Sequence, residues 1–159
     1  MKSSLMEPEA EESTIITPET KLTLALLERL FSFIQTEEKP LNPVLSGYFS
    51  KLVTLLINRK QKQIVPYIFS KDSQIIDQLL YHVYQKSISE LLNKLLCIMD
   101  SDFEGEVQEQ MQAKQKDVVQ NLLCKLGPNA SEEDNLNGCC ILQDMLETKE
   151  FYNVVSTYE

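Results

Sequence analysis

A single histidine, His82, bounds the catalytic chemistry open to this chain, because any Cys/His nucleophile pair or histidine metal cluster must run through it. It stands between Tyr81 and Val83 on an apolar stripe, where a hydrogen-bonded packing role is the simpler reading. The four cysteines, Cys97, Cys124, Cys139 and Cys140, lie inside apolar helical runs without metal-ligand spacing and read as reduced core residues of a cytosolic protein. Four glycines are scattered singly, so the sequence holds no phosphate-cradling loop. The nearest approach to a metal site is Asp100-Ser101-Asp102-Phe103-Glu104-Gly105-Glu106-Val107, with acids at alternate positions, glycine sixth and an apolar residue eighth, as in a calcium loop. Its fifth position is a long glutamate and its twelfth is Met111, where such a loop needs a bidentate glutamate. An acidic link between helices is expected there instead. Asn129-Ala130-Ser131 fits a glycosylation acceptor, but no secretory signal accompanies it. The residues therefore assign no catalytic, cofactor-binding or metal-binding role.

What remains is charge. The net charge of −9 is unevenly spread, with acids concentrated in the first 20 residues and beyond residue 100, and a basic excess between. That distribution speaks against nucleic-acid binding, which needs a concentrated basic surface to displace counterions. Within the basic centre, Lys51, Arg59, Lys60 and Lys62 form a ridge that could dock an acidic protein partner, since complementary charge speeds encounter. The plainer reading is that Arg59, Lys60 and Lys62 compensate the negative end of a helix dipole. No apolar run approaches the roughly 20 residues of a membrane span. A composition that is 43% hydrophobic and 25% charged suits one soluble domain, placed in the cytoplasm with the nucleus also open to it.

The elements that must position these residues read as helix after helix. Residues 1–19 are expected to be an acidic, disordered lead-in, and 20–159 a helical domain. Thr20 or Thr23 opens a helix carrying Leu24, Leu27, Leu30, Phe31 and Ile34. Asn42 then caps, and Pro43 begins, a helix whose apolar stripe is Val44, Leu45, Tyr48, Phe49, Leu52, Val53 and Leu56, expected to be covered by other elements. It is expected to stop at Asn58-Arg59-Lys60, and its Gly47 marks either a close helix contact or mere tolerance. A shorter helix follows around Ile64, Val65, Ile68 and Phe69, with Pro66 in its first turn or kinking it. The next stripe is Ile75, Ile76, Leu79, Leu80 and Val83, capped by Asp72 or Ser73. Ser87-Ile88-Ser89-Glu90 reads as a capping box ahead of Leu91, Leu92, Leu95, Leu96 and Met99. Val118, Val119, Leu122, Leu123 and Leu126 form a helix stopped by Gly127-Pro128. Ser131 caps the last strong helix, with Leu136, Cys139, Cys140, Leu142, Met145 and Leu146, and Glu150 to Tyr158 reads as a weak, frayed end. Short links between successive helices predict an all-α fold, an armadillo or HEAT-like helical repeat, with a compact helical bundle as the alternative.

One stretch also carries a resemblance. Leu41-Asn42-Pro43-Val44-Leu45-Ser46-Gly47-Tyr48-Phe49-Ser50-Lys51 resembles the leucine-asparagine-proline and phenylalanine-serine-lysine pattern of the SAPS family, regulatory subunits of protein phosphatase six and its fungal counterpart. Leu26-Leu27-Glu28-Arg29-Leu30-Phe31-Ser32-Phe33-Ile34 is similar to the family's preceding helix, and Leu56-Ile57-Asn58-Arg59-Lys60 to its continuation. Leu136-Asn137-Gly138-Cys139-Cys140-Ile141-Leu142-Gln143-Asp144-Met145-Leu146 is similar more weakly, departing where the family usually has serine-asparagine-alanine. The likeness covers about residues 20–150, with its specific wording in 26–60, and implies part of a longer SAPS-like region. It further implies a non-catalytic scaffold that binds a Ser/Thr protein phosphatase catalytic subunit and directs its activity, with other scaffold proteins as further partners. The other classes of function open to such a chain are a helical-repeat interaction module with a different partner, or a truncated SAPS relative without independent phosphatase binding.

Overall fold

The computed structural model describes residues 17–148, and among them every regular element is helical. Six α-helices follow in order: α1 (Pro18–Phe31), α2 (Pro43–Phe69), α3 (Ile75–Tyr81), α4 (Lys86–Leu96), α5 (Glu106–Lys125) and α6 (Glu132–Glu147). Single 3-10 turns lie at Ser32–Ile34 and Asp100–Asp102.

Several starts obey local capping chemistry. Asn42 Oδ1 accepts from the Val44 and Leu45 N–H groups at 3.0 and 3.1 Å, with Pro43 in the first turn. Ser131 Oγ accepts from the Asp134 N–H at 3.0 Å, and Glu132, Glu133 and Asp134 lie in the first turn, where the helix dipole favours anions. Other starts differ from expectation. α1 opens at Pro18 with Thr17 as its cap rather than at Thr20 or Thr23, because Thr17 Oγ1 accepts from the Thr20 N–H and proline fits the first turn. Ser73 Oγ does accept from the Ile75 N–H at 3.3 Å, although Gln74 is the residue flanking α3. The capping box at Ser87 does not form: α4 begins two residues earlier than that cap implies, at Lys86, without a side-chain cap.

Tertiary bonds hold the turn before α4. His82 is fully buried, and its Nε2 lies 2.9 Å from the Thr36 carbonyl, so Nε2 carries the proton. The unprotonated Nδ1 then accepts from the Tyr84 hydroxyl at 3.3 Å, and the Tyr84 oxygen accepts from the Leu41 N–H at 2.9 Å. From the other side, Asn137 Nδ2 donates to the Val83 and Tyr84 carbonyls at 2.9 and 3.0 Å. Residues 82–84 are thus held by the link between α1 and α2 and by α6. His82 has the packing role expected of it, with both ring nitrogens engaged in structural bonds.

Burial, followed by the Lys39 and Lys125 cations, depresses the His82 pKa from its ordinary value of 6.5, against the opposing hydrogen bond to Thr36. The unfolded chain therefore binds this proton more readily than the folded one. The resulting stability is complete above pH 6.5 and is lost as pH falls from there through the folded value. A urea titration series between pH 8 and 5 is expected to show this acid-side loss, and His82→Gln to flatten it.

Alternate helices stack on one another. α2, α4 and α6 form one row and α3 and α5 a second, with α3 bridging to α2 and α4. This two-row order is that of a helical repeat, in which each unit covers the apolar face of the next. At its centre is α4, whose Ile88, Leu91, Leu92, Leu95 and Leu96 are all buried. Gly138 of α6 lies close against the end of α5, where a Cβ would come within 2.7 Å of Leu126 Cδ2 and 3.3 Å of Leu122 Cδ2. Gly47 is the merely tolerated glycine, since a Cβ there would meet only Ser87 Oγ at 3.9 Å.

The cysteines are not core residues as expected. Cys124, Cys139 and Cys140 are exposed, and only Cys97 is half-buried. Helix α6 buries Gly138, Ile141 and Met145, one face at helical spacing, which turns residues 139 and 140 outward. Burial, then the Asp144 carboxylate, raises the Cys97 thiol pKa. In the acidic link, Asp100 is hydrogen-bonded to Gln112, and Met111 is fully buried in the core. Among the described residues no three His, Cys, Asp or Glu side chains gather as metal ligands.

Candidate functional site

Helix α2 positions all four residues of the basic ridge. It does not stop at Lys60 but runs on to Phe69, with Lys60 alone leaving helical geometry at φ −137° and ψ 36°. The expected stop is therefore a kink, and the shorter helix expected at 64–69 is its continuation. Pro66, inside this continuation, cannot donate to the Lys62 carbonyl and crowds it, and proline is the usual companion of a helix bend. No basic residue lies in the last turn of α2, so its terminal carbonyls are not what these cations compensate.

Lys51, Arg59, Lys60 and Lys62 are all exposed. None of them forms a salt bridge with another described residue; the bridges present are Lys114 to Asp77 at 3.2 Å and Lys125 to Asp134 at 3.6 Å. The structure does not gather the four into one cluster. Lys51 and Arg59 lie on the straight part of the helix, about two turns apart. Lys60 sits at the kink and Lys62 beyond it. The helix contains no Asp or Glu across its 27 residues.

Between these cations lies a feature that the residue pattern had assigned to the core. Phe49, Val53 and Ile57 are buried, but Val44 (62% exposed), Leu45 (52%), Tyr48 (65%), Leu52 (46%) and Leu55 (47%) face outward. At about 100° per residue, these five fall within an arc of about 100°, next to and separate from the buried face. The expectation that the whole stripe is covered is thus corrected: other described elements cover only one side of α2. The signal was present in the sequence, because apolar residues occupy more of the helix circumference than one neighbouring layer can cover, and the small Ser46 and Gly47 interrupt them. Ser46 is fully buried and gives its hydroxyl proton to the Asn42 carbonyl at 2.8 Å, so the core-facing side begins with a serine. Leu22 and Leu26 of α1 are also exposed.

Comparison with known proteins gives this helix a context. The family model for SAPS, the SIT4 phosphatase-associated proteins, matches residues 53–154. The chain belongs to the SAPS family. It is 33% identical over 123 residues to human serine/threonine-protein phosphatase 6 regulatory subunit 1, an overlap of 77% of this chain and 14% of that protein. It is 32% identical over 113 residues to the Xenopus laevis regulatory subunit 3-B, covering 70% of this chain and 13% of that one. To mouse regulatory subunit 2 it is 30% identical over 123 residues, covering 77% and 13%. The chain thus spans about a seventh of the length of these relatives. No solved structure matches it.

The SAPS match begins at Val53, within α2. It includes Arg59, Lys60 and Lys62, and it leaves out Lys51 and the Val44 to Leu52 part of the apolar row. The Asn42-Pro43 wording that suggested the family therefore lies upstream of the matched stretch, whereas the weaker likeness at 136–146 lies inside it. No helix of the described part of this SAPS chain is long and apolar enough to cross a membrane.

Proposed function

We propose that this SAPS-family chain acts as a non-catalytic regulatory and scaffold subunit, binding a type 6-like Ser/Thr protein phosphatase catalytic subunit and directing its activity. The observation that carries this reading is the family match together with relatives named as phosphatase 6 regulatory subunits. The fold supports it physically: helices stacked in two rows offer extended outer faces for a partner. His82 is committed to structural bonds on both nitrogens, which leaves it no part in general acid or base chemistry. The ridge Lys51, Arg59, Lys60 and Lys62 serves as the electrostatic docking element, its charges exposed and unanswered on a helix without acids.

The test is co-purification of the 159-residue chain with a purified phosphatase 6-type catalytic subunit, followed by stopped-flow association. Wild type is expected to bind. Reversing the four charges with K51E, R59E, K60E and K62E is expected to slow association by roughly ten-fold at low salt and to flatten its salt dependence. Absence of binding by wild type would shift the chain to an interaction module with another partner. Equal rates for the two proteins would make the ridge only a solvated helix face.

A further inference from the structure

The outer face of α2 has the footprint of one helix. Val44, Tyr48, Leu52 and Leu55 recur at the three- and four-residue steps by which an amphipathic helix is gripped. The row is about 16 Å long, or three turns. Lys51 flanks it and Arg59 stands at its far end, about 12 Å further along the helix than Lys51. We propose that this face docks an acidic amphipathic helix of a partner protein, whose apolar side covers Val44, Leu45, Tyr48, Leu52 and Leu55 and whose carboxylates, two turns apart, meet Lys51 and Arg59.

Charge selects this occupant. A second copy of the chain would lay α2 against α2, bringing four cations onto four with no acid in either helix to answer them. An anionic membrane would have to accept the remainder of a chain whose net charge is −9. A single acidic helix meets only the locally basic strip and is narrow enough to stay on it. Because the assignment names the partner chemistry of the face already given to phosphatase docking, it rests on that reading for the partner's identity alone.

The experiment is a phage-displayed library of amphipathic helical peptides with a constant apolar side and flanking positions encoding Glu or Lys, selected against the immobilised 159-residue chain. Clones with glutamates two turns apart are expected to be enriched at least ten-fold over lysine clones. The K51E/R59E chain is expected to invert that preference, and L52D to abolish selection. Since Leu52 is 46% exposed, L52D is expected to keep the wild-type melting curve, and Y48K repeats the test at a residue 65% exposed. Equal enrichment of lysine clones, or acidic clones indifferent to both L52D and Y48K, would overturn the proposal. So would a dimer in sedimentation that L52D dissolves, or binding to phosphatidylserine vesicles with no peptide selection. None of these readouts uses the phosphatase, so failed co-purification with successful selection rejects the partner's identity and leaves the docking chemistry standing.

Discussion

Leu95→Ala is expected to destabilise the fold by about 3 kcal/mol, the cost of lost burial plus the cavity that a close-packed surround cannot refill. Leu95 is fully buried on α4, the helix that touches α2, α3 and α6 at once, so no single neighbour can collapse into the gap. For a domain of this size the loss corresponds to a drop in Tm of roughly 6 to 12 °C. Leu136→Ala is the control: the residue is equally apolar but 64% exposed, and its change is expected to stay within about 0.5 kcal/mol. Calorimetric melts of the two variants measure the contrast. Equal shifts would mean that α4 is not the centre of the packing.

Asn137→Ala is expected to cost about 2 kcal/mol by a different route. Its amide donates to two carbonyls, those of Val83 and Tyr84, in the turn that sets the start of α4. Alanine leaves both acceptors without their donor at a partly buried site. Asn137→Asp is expected to be worse than alanine, because a carboxylate places an anionic acceptor against two acceptors, and the order Asp below Ala below wild type in denaturant midpoint is the diagnostic result. A variant no weaker than wild type would show that water satisfies the turn. The same residue joins two distant parts of the chain, being 53 positions from Tyr84 in sequence.

That separation marks the boundary between what was legible in the residues and what was not. Asn42 and Ser131 were recognisable as caps because a cap is a contact across two or three residues, complete within its own segment. The packing role of His82 was equally legible from its place on an apolar stripe, and the structure buries it with both ring nitrogens hydrogen-bonded. The exposure of Lys51, Arg59, Lys60 and Lys62 followed from their long charged side chains, which water solvates best. By contrast, Ser87-Ile88-Ser89-Glu90 satisfied a local pattern that did not form, since α4 already begins at Lys86 and takes Ser87 into its first turn. Cys139 and Cys140 looked like core because they are apolar, yet Gly138, Ile141 and Met145 took the buried face once Gly138 allowed α5 to approach.

By itself the sequence determined that this chain is helical throughout its strongly periodic part, that Asn42 and Ser131 cap helices and which family it resembles, since periodicity, these caps and wording are all properties of short stretches. Which side of α2 meets the core, that its stop is a bend, and that five apolar residues lie on an open face beside Lys51 and Arg59 were decided by packing. An amphipathic helix with apolar residues over most of its circumference is compatible with several burials, and only the positions of α4, α3 and α5 around it select one.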